Sequence, residues 1–252
     1  MTTSVSSLDV STQPLWHALQ TQLAAIASQH PDAVFASSLA AEDMLLAHAI
    51  FEADLPIQVF TLDTGRLHPE TIAMVDKIAE RYGVDILVVR PDAARVRAHV
   101  EQHGAFAFYE SIELRKACCG IRKVEPLRRV LQGRSAWLTG QHRDQSVTRN
   151  ALAEAEYDAV FGLQKYNPLA SWSSEQVWSA IRAFDIPYNP LHDEGFPSIG
   201  CEPCTRAVRP NEDARAGRWW WEQSASKECG LHEGNFKTVS TVNSQISKEQ
   251  NG

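Results

Sequence analysis

No stretch of the 252-residue chain approaches the roughly 18 consecutive apolar residues of a membrane-spanning helix, and residues 1–11 (MTTSVSSLDVS) are polar, without the apolar centre of a secretory signal. A cytoplasmic location and no membrane partner are expected. Positive charge is also scarce: 24 Lys and Arg against 31 Asp and Glu give a formal net charge of -7. That is the wrong sign for a general nucleic-acid coat, which neutralises phosphates over a basic face. Internal repeats are absent, and 44% hydrophobic with 22% charged residues is an ordinary globular composition. Cysteine is sparse, five in all, and an odd number without a signal argues against a disulfide scaffold. The thiols are expected to be reduced and used for chemistry.

Their placement is informative: an adjacent pair (Cys118, Cys119), a close pair (Cys201, Cys204) and a single Cys229. Burial as small hydrophobes suits an isolated cysteine but accounts poorly for CC plus CxxC. The pattern reads as four ligands and one spare thiol. Four thiolates can hold zinc or a 4Fe-4S cluster; structural zinc prefers two separated CxxC-like hooks, yet composition alone favours zinc. Both pairs lie among cations: Arg115, Lys116, Arg122, Lys123, Arg128 and Arg129 surround the first, and Arg206, Arg209, Arg215 and Arg218 follow the second. Glu113, Glu125, Glu212 and Asp213 partly offset them. Such local patches suit a small anion. If Arg115–Gln132 is largely helical, Cys118 shares a face with Arg122, and Cys119 with Lys123, although Gly120 and Pro126 weaken that helix.

Short apolar runs at 33–37, 57–62, 85–89 and 136–139 predict strands, and helical spacing over 41–52, 69–82 and 93–102 predicts helices between the first of them. That alternation predicts an α/β fold with a parallel sheet. Ligands in such sheets sit beyond the carboxyl ends of strands, which gives priority to SSLAAED, DTGRLH and GQHRDQS. Further on, AEYDAVFG (155–162) suits a strand, SSEQVWSAIRAFDI (173–186) a capped helix, and PYNPLHDEGFPSIG a loop leading to CEPC. His68, followed by Pro69, reads as a helix start rather than a catalyst, and Trp219, Trp220 and Trp221 as packing residues. One large domain over residues 1–225 and an active tail over 226–252 are expected, the tail polar and mobile.

The motifs SSLAAEDMLL (37–46), LDTGRLHPET (62–71), KACCGIRKVEPL (116–127), GQHRDQS (140–146), GCEPCTR (200–206) and KECGLH (227–232) lie in an order that resembles the assimilatory sulfonucleotide reductases. Within them the chain is most similar to the iron-sulfur adenylylsulfate (APS) reductases. The resemblance covers most of the chain and rests most specifically on CCxxRK with KECGLH. It implies an adenine nucleotide alpha-hydrolase-like (Rossmann-like) parallel-sheet domain with a mobile C-terminal catalytic segment, and a 4Fe-4S cluster on Cys118, Cys119, Cys201 and Cys204. It further implies Cys229 as nucleophile, Ser37, Ser38, Lys123, Arg143, Arg215, Arg218 and His232 as substrate contacts, a thioredoxin or glutaredoxin-like reductant, adenylyl sulfate as substrate, and a homo-oligomer. Two departures stand out: SSLAAED lacks the glycines of the related SGGxDS pyrophosphate loop, and His142 stands where many relatives carry Arg in GxRRDQS. The lost glycines fit a substrate whose single phosphate is capped by sulfate. Alternatives are a phosphoadenylylsulfate (PAPS) or dual-specificity reductase, an adenylating enzyme, and a zinc-stabilised nucleotide-binding regulator with no use for Cys229.

Overall fold

Short, largely buried strands alternate with helices through the first half of the chain, and the sheet they build is mostly parallel. The computed structural model describes residues 8–145, 149 and 151–222; the expected tail, with Cys229 and His232, and the 225/226 boundary lie outside these residues. Six strands are ordered β3-β2-β1-β4-β6-β5: β1 (Val34–Ser37), β2 (Gln58–Leu62), β3 (Leu87–Val89), β4 (Ala136–Leu138), β5 (Ala155–Asp158) and β6 (Leu163–Tyr166). All neighbours pair parallel except the edge strand β5, which runs antiparallel to β6. Val34 of β1 faces Gln58 of β2 on one side and Trp137 of β4 on the other. The chain thus steps outward from β1 to β3 and returns to the other side of β1 at β4. Connections leave the two central strands in opposite directions there, which opens a crevice at their carboxyl ends.

The helices are α1 (Gln13–Gln29), α2 (Ala41–Glu52), α3 (Pro69–Tyr82), α4 (Ala93–His103), α5 (Ile112–Cys119), α6 (Glu125–Leu131) and α7 (Ser174–Ala183). Local signals set several ends: Pro69 opens α3, Gly83 closes it at φ 66°, and Ser173 with Gln176 forms a capping box on α7. α2 buries nearly every side chain, from Met44 to Ile50, because it lies between the sheet and its covering helices. α1 was not anticipated; it buries Trp16, Leu19, Leu23 and Ile26 in the same core. β6 is the second addition, since the run read as one strand at 155–162 ends at Asp158 and turns through Gly162, φ 75°, into Leu163–Tyr166. Among the described residues no helix is long and apolar enough to cross a membrane.

The segment expected to be one weakened helix is continuous, but a π-helical turn over Gly120–Val124 separates α5 from α6. Pro126 supplies the reason: its ring would collide with the carbonyl four residues back, and the wider turn moves that carbonyl away. Arg122 and Lys123 lie inside this turn, immediately after the cysteine pair.

Candidate active site at the carboxyl ends of the central strands

A cavity of about 650 Å³ occupies the crevice, within the range of small-molecule sites. Phe60, Leu62, Leu127 and Trp137 line its apolar side, and Lys123, Arg149, Arg215 and Arg218 bring cations to its wall. The loop after β1 turns at Leu39, φ 64°, the left-handed conformation a glycine would adopt freely. Leu39 is fully buried, so packing holds a turn that the missing glycines would otherwise permit. Ser37 is buried and its hydroxyl accepts from the Leu39 amide at 3.1 Å. Ser38 donates both its amide, at 2.6 Å, and its hydroxyl, at 2.5 Å, to Oδ2 of Asp43. The expected phosphate contact at Ser38 is therefore already engaged by a carboxylate.

Asp43 and Glu42 sit in the first turn of α2 and both line the cavity. Burial pushes the Asp43 carboxyl up to about 6, against the hydrogen bonds from Ser38, with Glu42 adding to the rise. For Glu42, burial acts upward, but hydrogen bonds from His142 and Gln145 outweigh it and hold the carboxyl below its ordinary value. His142 is wholly buried, 3.2 Å from Glu42 through Nε2, and does not line the cavity. Arg143 also stands behind the wall. Its Nε donates to the Leu152 carbonyl at 2.9 Å and its amide to Ala170, while Arg149 lines the cavity. The 3-10 turn Arg143–Gln145 aims Arg143 along the chain rather than into the crevice.

The two cysteine pairs come together near the cavity-lining residues Lys123, Arg218 and Trp219: Cys118 and Cys204 each feel the charge of Cys201, and Cys119 and Cys204 share a cluster with Trp219. Leu67 bridges to Cys201, whose Sγ lies 3.2 Å from the Thr64 hydroxyl, so the loop after β2 carries the second pair toward the first. Cys119 and Cys204 pack with Trp219 and Trp221. All four thiols are free of disulfides, Cys119 and Cys201 buried and Cys118 and Cys204 half-buried. Burial raises the Cys118 thiol, with Cys201 adding to the effect, and Arg122 pulls it down by charge and hydrogen bond. Burial, then Cys201, pushes Cys204 up to about 12, against Lys123 and Arg218. Thiols so buried ionise only with compensating positive charge. Arg122 is buried and donates to the Thr64 carbonyl at 2.7 Å, so it ties the π turn to the β2 exit.

Arg218 is fixed by the Ile199 carbonyl at 3.2 Å and by the Trp219 ring at 4.8 Å. Gly200 is what admits it, since a Cβ there would stand 2.4 Å from Nη2. Lys123, Arg215 and Arg218 thus line the same cavity as Ser37 and Ser38; Cys229 and His232 lie outside the described residues. His68 starts α3, as its position before Pro69 implied. Trp219 is buried and Trp221 half-buried, whereas Trp220 is exposed.

A family model described as a phosphoadenosine phosphosulfate reductase domain matches residues 32–207. An adenosine 5'-phosphosulfate reductase of Burkholderia cepacia is 59% identical, over 85% of this chain and 86% of its own. One from Allochromatium vinosum is 49% identical, over 91% and 90%. Among solved structures, a phosphoadenylyl-sulfate (PAPS) reductase from Candida auris in a phosphate complex superposes with a TM-score of 0.65 and 26% identity, covering 75% of this chain and 90% of that one.

Proposed function

We propose that this chain, which belongs to the phosphoadenosine phosphosulfate reductase family, reduces adenosine 5'-phosphosulfate to sulfite and AMP at the expense of a thioredoxin or glutaredoxin-like dithiol. Relatives named for that substrate at 49% to 59% identity support APS over its 3'-phosphorylated form. The observation that carries the reading is the pairing of a nucleotide-sized crevice with a cationic wall backed by four gathered cysteines.

The chemistry follows from the substrate. Sulfur in the phosphosulfate anhydride is electrophilic but shielded by anionic oxygens, so a thiolate needs cations on the substrate and on the departing phosphate. Lys123, Arg215 and Arg218, which line the cavity, would supply them. The Cys229 thiolate attacks sulfur: an S–S bond forms, the S–O bond to phosphate breaks, and AMP leaves with the bond's electron pair. One thiolate of the external dithiol then attacks the Cys229 sulfur and displaces sulfite. Its second thiol resolves the mixed disulfide, returning Cys229 as a thiol and leaving the partner oxidised by two electrons.

The four gathered cysteines suit a 4Fe-4S cluster. What supports the cluster here is the donor set, four disulfide-free cysteines with Arg122, Lys123 and Arg218 close enough to act on their charge. Cys118, Cys119, Cys201 and Cys204 would hold it. When bound it would supply a fixed charge distribution beside Lys123 and Arg218. The test is anaerobic turnover with APS and a dithiol protein. Sulfite production by the wild type and none by Cys229→Ser, with AMP binding retained, is the expected result; turnover by Cys229→Ser would refute the mechanism.

A further inference from the structure

The loop that opens the crevice lines the cavity, yet the amide and hydroxyl of its Ser38 are both taken by one carboxylate. Asp43, 8% exposed, reaches back from α2 to take the amide and hydroxyl of Ser38 at the β1 exit. It also takes the Gly140 amide at the β4 exit. The approach at Gly140 is so close that a Cβ there would stand 2.1 Å from Oδ1 and 3.2 Å from the Asp43 backbone nitrogen. Glu42 repeats the connection one residue earlier, through His142 and Gln145. On the opposite side of the helix start, the Ala41 amide donates to His192 at 3.1 Å. The first turn of α2 therefore spans the point at which β1 and β4 diverge, the two walls whose separation sets the crevice's width.

We infer that Asp43 is a positioning residue for the nucleotide, a clamp that holds the β1 and β4 exit loops at their working separation and fixes the orientation of Ser38. Two acidic residues at a helix start look like simple partners of the helix dipole. That role needs neither a buried carboxylate nor bonds to two different strand exits. The glycine-poor loop gives the clamp its purpose, because a loop without backbone freedom must be held by something outside itself. The charged and titratable neighbours facing Asp43 are Glu42 on its own helix and, around Glu42, His142 from the β4 exit and His192 from the loop after α7.

This inference rests on the proposed reading of the crevice as the nucleotide site. The test uses the full chain and two independent variants. Asp43→Asn keeps the volume but places an NH2 group against one of the donors; Gly140→Ala leaves Asp43 in place and displaces its carboxylate. Binding of AMP by calorimetry, KM for APS, and the rate of Cys229 sulfonation at saturating APS are measured for each. Loss of charge-assisted bonds predicts AMP affinity and KM worse by about tenfold to a hundredfold in both variants, with the saturated sulfonation rate within about threefold of the wild type. A general structural lesion would lower that rate as well, and such a result overturns the inference. Affinity within twofold of the wild type in both variants overturns it equally. Wild-type protein that binds neither AMP nor APS sinks the nucleotide reading itself, which separates the two failures.

Discussion

Replacing Glu222 by Ala should destabilise the protein far more than a typical ion-pair mutation. Arg115 and Glu222 are paired through Nε at 2.5 Å and Nη2 at 3.0 Å, with side chains only 1% and 5% exposed. An exposed pair would contribute well under 1 kcal/mol. Removing one partner of a buried pair instead takes away the carboxylate that offsets the desolvation of the other, at a cost of up to about 3–5 kcal/mol. The Trp219 ring, 4.7 Å from the Arg115 guanidinium, stays beside it and offsets part of that. For a protein of this size the loss corresponds to a fall in Tm of roughly 10 °C. Urea unfolding followed by circular dichroism gives the free energy, and the double variant Arg115→Met with Glu222→Leu should recover most of it, because no charge remains buried. Loss below about 1 kcal/mol in Glu222→Ala would refute the view that a desolvated ion pair anchors Trp219–Glu222 to α5.

Two further outcomes follow from the site. The Asp43 carboxyl, raised to about 6 from 3.8 by burial, favours the folded state when protonated; that contribution is full below the unfolded value and is lost as pH rises through about 6. Relative to Asp43→Asn, the wild type should lose up to about 3 kcal/mol between pH 4 and pH 8, and parallel stability profiles from urea unfolding would contradict this. Gly200→Ala places a Cβ 2.4 Å from Nη2 of Arg218, so the guanidinium must leave its seat and KM for APS should rise about tenfold; an unchanged KM would remove Arg218 from substrate binding.

Elements whose signals are local were legible in the sequence. α2 and α3 lie where apolar spacing, Pro69 and Gly83 place them, and α7 begins at its capping box. α1 carries an equally local signal, since Trp16, Leu19, Leu23 and Ile26 recur at helical spacing. β6 was harder, because its inward residues are Leu163 and Lys165, and a buried lysine becomes a strand residue only once Glu156, at 2.8 Å, and the Trp137 ring receive it. The expectation that the two cysteine pairs act together rests on their spacing, their flanking charge and the family resemblance. The roles of Asp43 and Gly140 were not, since each depends on the other across nearly a hundred residues of intervening chain. The same holds for Arg143 and Arg149: six residues apart in sequence, Arg149 lines the cavity while Arg143 donates to the Leu152 carbonyl instead.

The most direct measurement is mass spectrometry of anaerobically purified protein incubated with APS in the absence of reductant, with peptide mapping of the product. The account predicts a sulfonate on Cys229, formed with one equivalent of AMP and released as sulfite when a dithiol protein is added. Protein that binds APS and carries its metal centre yet shows no adduct on Cys229 would contradict the account.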